Sequence, residues 1–414
     1  MTPDAAATPG AAAPVSTDAI MPTYRRYPVT LVRGEGMRVF DDAGRSYLDF
    51  AGGIACVPIG HSHPRWVGAV REQVGTLTHV SNLYATIPQQ QLASRLVALA
   101  GFGQVFFCNS GAEANEAALK LARLRGRPQG KTKVVALTGS FHGRTFATLA
   151  ATGQPEKHDP YQPLPEGFVH VEPEDVAALR EAVDDATAAV LLEPVLGEGG
   201  VMPLSDAYLR EARRVCDERG SLLLFDEVQT GVGRCGTWFA FQGTTIRPDV
   251  FTLAKGLAGG LPIGAVIAEE RHAFGPGEHA STFGGGPVPC AGALAVLDVI
   301  EAEELLPRAT AMGERLRAGL ADVLDNAGRP ERPRGRGLLV GAPLGPVDGP
   351  GTIRASAVIL ALLRRGFLAT EAGRNVVRCT PPLTVAAGEV DAFVEAFADS
   401  LVEASHPAAQ GSAP

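Results

Sequence analysis

Three short stretches place a chemically able side chain directly after an apolar run. Ser110-Gly111-Ala112-Glu113 follows Gln104–Cys108 and opens a long segment rich in Ala and Leu. Ser110 can cap a helix there, with Glu113 as the reciprocal partner of a capping box. The same turn can seat an anion, because Gly111 would let a phosphate approach the unpaired N–H groups at the positive helix end. The two roles are compatible. In Leu222-Leu-Leu-Phe225-Asp226-Glu227, two carboxylates leave an apolar strand at the edge where α/β ligands bind, although Asp226 could equally cap a turn. In Phe251-Thr-Leu-Ala-Lys255-Gly256, a lysine ends another apolar run ahead of a Gly-rich loop. Such lysines are usually solvated, but a partly buried one has its pKa lowered and becomes a nucleophilic amine. A phosphate seat, a strand-end acid and a strand-end lysine together point to pyridoxal 5′-phosphate. The lysine would form the Schiff base, the acid would keep the pyridine nitrogen protonated and the helix would hold the phosphate.

Other motifs read as turns. Gly231-Val-Gly-Arg-Cys-Gly236 fits G-x-G-x-x-G, but four residues separate it from the strand and no helical periodicity follows. Gly126-Arg-Pro-Gln-Gly130-Lys131-Thr132 is one residue short of a P-loop and sits at a helix exit. His61 and His63 have no third ligand at metal spacing, so no metal is expected.

The elements that must position these residues alternate. Strand-like runs at Gln104–Cys108, Val134–Leu137, Ala189–Leu192, Leu222–Phe225, Val250–Leu253 and Gly264–Ala268 are separated by helical stretches such as Glu113–Arg125 and Ala207–Glu218. This pattern predicts an α/β fold with a mostly parallel sheet covered on both faces. A meander over Val29–Phe50 and a mainly helical region from Val288, with strand-like Gly337–Val340 and Asn375–Arg378, predict a smaller α+β domain built from both chain ends. The expected division is a tail over 1–20, the small domain over 21–63 and 288–405, the large domain over 64–287, and a second tail over 406–414. Gly341–Gly351, with three prolines and four glycines, reads as a loop. With 45% hydrophobic and 20% charged residues, the 414-residue chain can bury a sizeable core. A net charge of -8 offers no footprint for nucleic acid. No apolar stretch is long enough to span a membrane, and the first twenty residues lack the basic start and apolar core of a secretory signal. Six scattered cysteines then read as the reduced thiols of a cytoplasmic protein.

From about Pro22 to Ala404 the chain resembles the class III (ω-) aminotransferases of fold type I, most closely those acting on acetylornithine. The resemblance is carried by Met21-Pro-Thr-Tyr24, Val32-Arg-Gly-Glu-Gly36, Gly60-His-Ser-His-Pro64, the run from Phe107 to Arg123, Ser140-Phe-His-Gly-Arg-Thr145, the run from Leu224 to Arg234, and Leu253-Ala-Lys-Gly256. It implies that Lys255 is the Schiff-base lysine and proton shuttle, and that Asp226 pairs with the pyridinium nitrogen. It implies further cofactor contacts from Glu227, Val228 and Gln229, with Gln229 near the ring hydroxyl. Phe141 is implied to stack on the ring, and Ser110, Gly111 and Ala112 to hold the phosphate. Thr282 is implied to reach the phosphate from the partner subunit, so that a homodimer shares its active sites, and Ser281 to touch substrate across that interface. Arg144 is implied to clamp a substrate carboxylate, with Tyr24 at the site entrance. Glu198 is implied to cover Arg378 and to swing away when a second carboxylate arrives; read from the residues alone, a permanent salt bridge is the preferred reading. Leu196 and Gly286 depart from common family residues (Gln and Asn) and bear on donor preference.

The activity so implied is ping-pong amino transfer from the δ-amine of N2-acetyl-L-ornithine to 2-oxoglutarate, in arginine biosynthesis. Alternatives are ornithine, 4-aminobutyrate, succinylornithine or another ω-amine as donor. A non-catalytic dimeric binding protein on the same fold is an alternative of another class. Retention of Lys255, Asp226 and Arg144 together argues against it.

Overall fold

The computed structural model describes residues 19–347 and 352–406, so the expected tails lie almost wholly outside the described residues. Thr187–Leu192, Leu222–Asp226 and Val250–Leu253 are buried at every position, as strands covered on both faces must be. They form the middle of a seven-stranded sheet. Its spatial order is Gln104–Cys108, Gly264–Ala268, Val250–Leu253, Leu222–Asp226, Thr187–Leu192, Lys133–Leu137, Phe168–Val171. Gly264–Ala268 runs antiparallel to both its neighbours, and the other pairings in the sheet are parallel. The mostly parallel α/β sheet expected from the alternating pattern is therefore present. Phe168–Val171 is a strand that the sequence pattern did not announce. It is short, lies at the sheet edge and is half exposed, so its apolar signal is weak.

Helices Gly111–Gly126 and Asp206–Arg219 follow their strands, each capped by a serine, Ser110 and Ser205. The G-x-G-x-x-G stretch is a succession of turns, as expected. His61 and His63 are each paired with a carboxylate, Asp49 and Glu303. The six cysteines are free thiols.

The two chain ends meet. Leu31–Glu35, Arg38–Asp41 and Ser46–Asp49 form the antiparallel meander, and Phe367–Leu368 joins it in parallel beside Ser46–Asp49. Just beyond the meander, Phe50 is fully buried and stacks on Phe393 of the C-terminal helix Ala387–Ser405 at 4.1 Å between ring centroids. The loop expected over Gly341–Gly351 is shorter than predicted. Leu339–Pro343 is a strand, because Gly341 sits opposite Arg378 and packs against Val201 and Val376 where a side chain would not fit. Residues 348–351 lie outside the described residues.

Phe50→Ala should destabilise the protein by about 3–5 kcal/mol, because a stacked, fully buried ring leaves a cavity between the two chain ends. Urea unfolding of the variant against the parent measures this.

Candidate active site

The parallel strands all present their carboxyl ends to one side of the sheet, and the residues that follow them line a single cavity of about 400 Å³. Ser110, Gly111, Ala112, Phe141, Arg144, Glu198, Asp226, Val228, Gln229 and Lys255 are all in its wall. They come from five separate stretches of the chain, so residues up to 145 positions apart converge (Ser110 to Lys255).

Ser110 Oγ accepts the N–H of Glu113 at 3.2 Å, as the cap predicts. Glu113 does not complete a capping box. Its Oε2 reaches one residue further back and accepts from the backbone N–H and side-chain amide of Asn109, at 2.9 and 2.8 Å. Gly111 is required by close approach: a Cβ there would lie 2.8 Å from Val228 Cγ1. The helix start therefore presses directly on the turn that follows Asp226.

Asp226 is 4% exposed and fully engaged. Asn115 Nδ2 donates to its Oδ2 at 2.7 Å, His142 Nδ1 lies 2.8 Å from the same oxygen, and the Val228 N–H donates to Oδ1 at 3.0 Å. Thr252 Oγ1 in turn donates to Asn115 Oδ1 at 2.7 Å and fixes the amide. Sequence reasoning assigned no role to Asn115 or His142, although both lie inside stretches that carried the family resemblance. Nothing local in a buried Asn or His announces that it will meet an acid more than eighty positions away.

Lys255 ends the run after Val250–Leu253 with a backbone φ of 37°, a left-handed value uncommon for a side chain other than glycine. Burial lowers its pKa, and the nearby positive charge of Arg378 lowers it further, so the amine is biased toward the neutral, nucleophilic form. Arg378, only 1% exposed, stands behind Glu198: its Nη1 donates to Glu198 Oε1 at 2.5 Å, to the Gly197 carbonyl at 3.3 Å and to Gln229 Oε1 at 3.5 Å. Burial raises the Glu198 pKa, but the charge and hydrogen bond of Arg378, with the charges of Lys255 and Lys157, together outweigh it and hold the carboxyl below its ordinary value. Arg144 is exposed at the mouth, its guanidinium carbon 5.7 Å from the Phe141 ring centroid.

Five expected residues are not in this wall: Arg378, which stands behind Glu198, and four others. Glu227 points into the protein: its carboxylate accepts from the N–H groups of Ala240 and Phe241, at 2.6 and 2.9 Å, and from Thr230 Oγ1 at 3.0 Å. Burial pushes its pKa up to about 7. Its carboxylate lone pairs are spent on holding the turn and not on the cavity. Ser281 lies outside the wall, where its Oγ accepts from Asn109 at 3.3 Å. Thr282 is exposed in a separate crevice with Ser81, Asn82 and Phe283. Tyr24 is 77% exposed and borders a different groove. Leu196, fully buried, faces the core, and Gly286 precedes helix Pro287–Ala302, so neither family departure lines the cavity. Cys56, Asn109 and Glu193 do line it, and sequence reasoning missed them.

The donor set fits pyridoxal 5′-phosphate. Gln229 Nε2 is buried without a partner, a free amide donor in the wall for a ring oxygen. The clamped acid suits a protonated pyridine nitrogen, the neutral-biased lysine an aldehyde, and the glycine-fronted helix start a phosphate.

Sheet, crossovers and cavity together define a pyridoxal-phosphate-dependent transferase of fold type I. The chain belongs to the class III aminotransferases: the family model Aminotransferase class-III matches residues 19–401. It is similar to the acetylornithine aminotransferase of Gloeobacter violaceus, with 50% identity over 90% of this chain and 93% of that one. The corresponding protein of Mycolicibacterium smegmatis is also 50% identical, over 91% and 95%. Among solved structures it is similar to ornithine aminotransferase from Toxoplasma gondii (TM-score 0.87, 31% identity, 93% of each chain). N-acetylornithine aminotransferase from Stenotrophomonas maltophilia is similar too (TM-score 0.79, 36% identity, 91% and 96%). The chain is thus a pyridoxal-phosphate-dependent aminotransferase.

Glu227→Ala should separate folding from cofactor binding. It leaves buried N–H donors unpaired, at about 1–3 kcal/mol each. A lower melting temperature with cofactor absorbance retained per folded subunit is expected.

Proposed function

We propose that this enzyme moves the δ-amino group of N2-acetyl-L-ornithine to 2-oxoglutarate, giving N-acetyl-L-glutamate 5-semialdehyde and L-glutamate, a step of arginine biosynthesis in the cytoplasm. The observation that carries the reading is the pair of arginines at opposite depths. Arg378 is buried and covered by Glu198, whereas Arg144 is open at the mouth. Relatives about 50% identical that bear the acetylornithine name support the choice of donor.

When bound, pyridoxal phosphate supplies an electron sink that makes the C–H bond beside the reacting nitrogen acidic. The residues do the rest. Asp226 presents a fixed negative charge to the ring nitrogen, Gln229 offers its free N–H to the ring oxygen, and the start of helix Gly111–Gly126 takes the phosphate. Lys255 Nζ takes the proton from the donor carbon that bears the amine and later returns one. Arg144 binds the donor's α-carboxylate at the far end. While an ω-amine occupies the site, Glu198 neutralises Arg378, which spares an unpaired buried charge. With 2-oxoglutarate, the carboxylate beside the keto carbon replaces Glu198 on Arg378, a charge-assisted pair that the donor cannot make.

The active unit in this reading is a homodimer. Phe283, beside Thr282, is 65% exposed, and Leu83, Tyr84 and Ile87, which flank the crevice residues Asn82 and Thr86 in sequence, are 88%, 70% and 69% exposed, apolar side chains of the kind a partner covers. Thr282 and Ser281 would then serve the partner's cavity.

Lys255→Ala should lower turnover by about 10³-fold or more and abolish borohydride fixation of the cofactor. Normal turnover in that variant would overturn its role. Arg378→Ala should lower kcat/KM for 2-oxoglutarate by about 10²-fold, with little effect on the ω-amine half-reaction. Following the two half-reactions separately by cofactor absorbance, with a donor panel of N2-acetylornithine, ornithine and 4-aminobutyrate, tests the assignment. Equal losses in both halves, or a preference for ornithine, would overturn the substrate.

A further inference from the structure

In the proposed reading, two loops discriminate between substrates, and both are tied to one buried carboxylate that the mechanism above does not use. Glu193 follows strand Thr187–Leu192 and is 5% exposed. Its Oε1 accepts the N–H of Phe141 at 2.8 Å, and its Oε2 accepts the N–H of Gly197 at 3.0 Å. Phe141 begins the loop that carries Arg144, and Gly197 immediately precedes Glu198. The two loops also touch directly, since a Cβ on Gly199 would lie 2.9 Å from the Gly139 carbonyl oxygen. Gly197 is confined on its other sides. Its carbonyl accepts from Arg378, and a Cβ on it would lie 2.0 Å from Gln229 Oε1. The peptide next to Glu198 is thus held by Glu193, and the same carboxylate holds the peptide of the ring-facing Phe141.

We propose that Glu193 is a positioning residue that couples the two substrate-reading loops, keeping Glu198 over Arg378 in step with Phe141 and Arg144, and so sets the preference between an ω-amine and glutamate. The inference rests on the selectivity roles proposed above for Glu198 and Arg378. The two N–H donors reach different oxygens of Glu193, and at this size only a carboxylate carries two acceptor oxygens. A glutamine keeps the volume but turns an NH₂ toward one of the N–H groups, so one of the two ties must open. Above a pKa of about 7, to which burial raises it, Glu193 is ionised and both ties are available.

The test uses the cofactor-loaded enzyme at pH 8.5, with Glu193→Gln and Glu198→Ala compared against the parent. In Glu193→Gln, kcat/KM for the ω-amine half-reaction should fall about tenfold, mainly through KM, while the glutamate half-reaction holds. Amide hydrogen exchange in segments 138–146 and 194–201 should accelerate together. Equal losses in both half-reactions, or faster exchange confined to one segment, would overturn the proposal. If Glu198→Ala shifts selectivity and Glu193→Gln does not, the coupling alone is wrong; if Glu198→Ala shifts nothing, the reading beneath it fails as well. Should the glutamine variant not fold, the parent decides. Saturation with glutamate should change exchange in both segments in the same direction, and a response limited to 194–201 would overturn the coupling.

Discussion

Burying the charge of Asp226 is the constraint on which the site is built. An ionised carboxylate taken out of water costs several kcal/mol unless protein donors replace the water. Here the replacements come from three elements: Asn115 on the helix after Gln104–Cys108, His142 on the loop after Lys133–Leu137, and the backbone of Val228. The neighbouring strand contributes Thr252, which orients Asn115. Satisfying one acid therefore fixes the helix start, the ring-facing loop and the turn relative to each other. These are the same pieces that front the cavity, so the groups lining it are preorganised by the requirement that buries the acid.

The cationic half of the site follows a complementary logic. Arg378 is buried deeper than most arginines, and its charge is balanced by Glu198 rather than by solvent. That charge also acts on Lys255, lowering its pKa beyond what burial does. An arrangement in which the counter-ion can be exchanged for a substrate carboxylate keeps the arginine paired in both half-reactions. Glu227 shows how sharply adjacent acids can diverge. Successive residues leaving a strand face opposite ways, so Asp226 meets the cavity while Glu227 meets the backbone of Ala240 and Phe241.

Lys255, Asp226 and the Ser110–Gly111 turn were legible as functional candidates because each ends or follows an apolar run, and strand ends are where α/β folds bind ligands. The family resemblance added Phe141, Gln229, Glu198 and Arg378, which the structure brings to one place. Phe168–Val171, by contrast, was missed because a half-exposed edge strand of four residues leaves little periodicity. Asn115, His142 and Glu193 were missed for a different reason. Each is polar and buried, and its role depends on partners far away in sequence.

By itself the sequence determined the alternation of strands and helices, the mostly parallel sheet and the side of it on which chemistry gathers, since these follow from local periodicity and from which residues close each apolar run. Only the tertiary structure decided which acid of the Asp226–Glu227 pair reaches the cavity, that Glu113 bonds to Asn109 rather than closing a capping box, and that Glu193 ties two loops together. Those outcomes depend on which donors a buried carboxylate can reach. Reach in space is set by the packing of the whole sheet and its crossovers, which no short window of sequence contains.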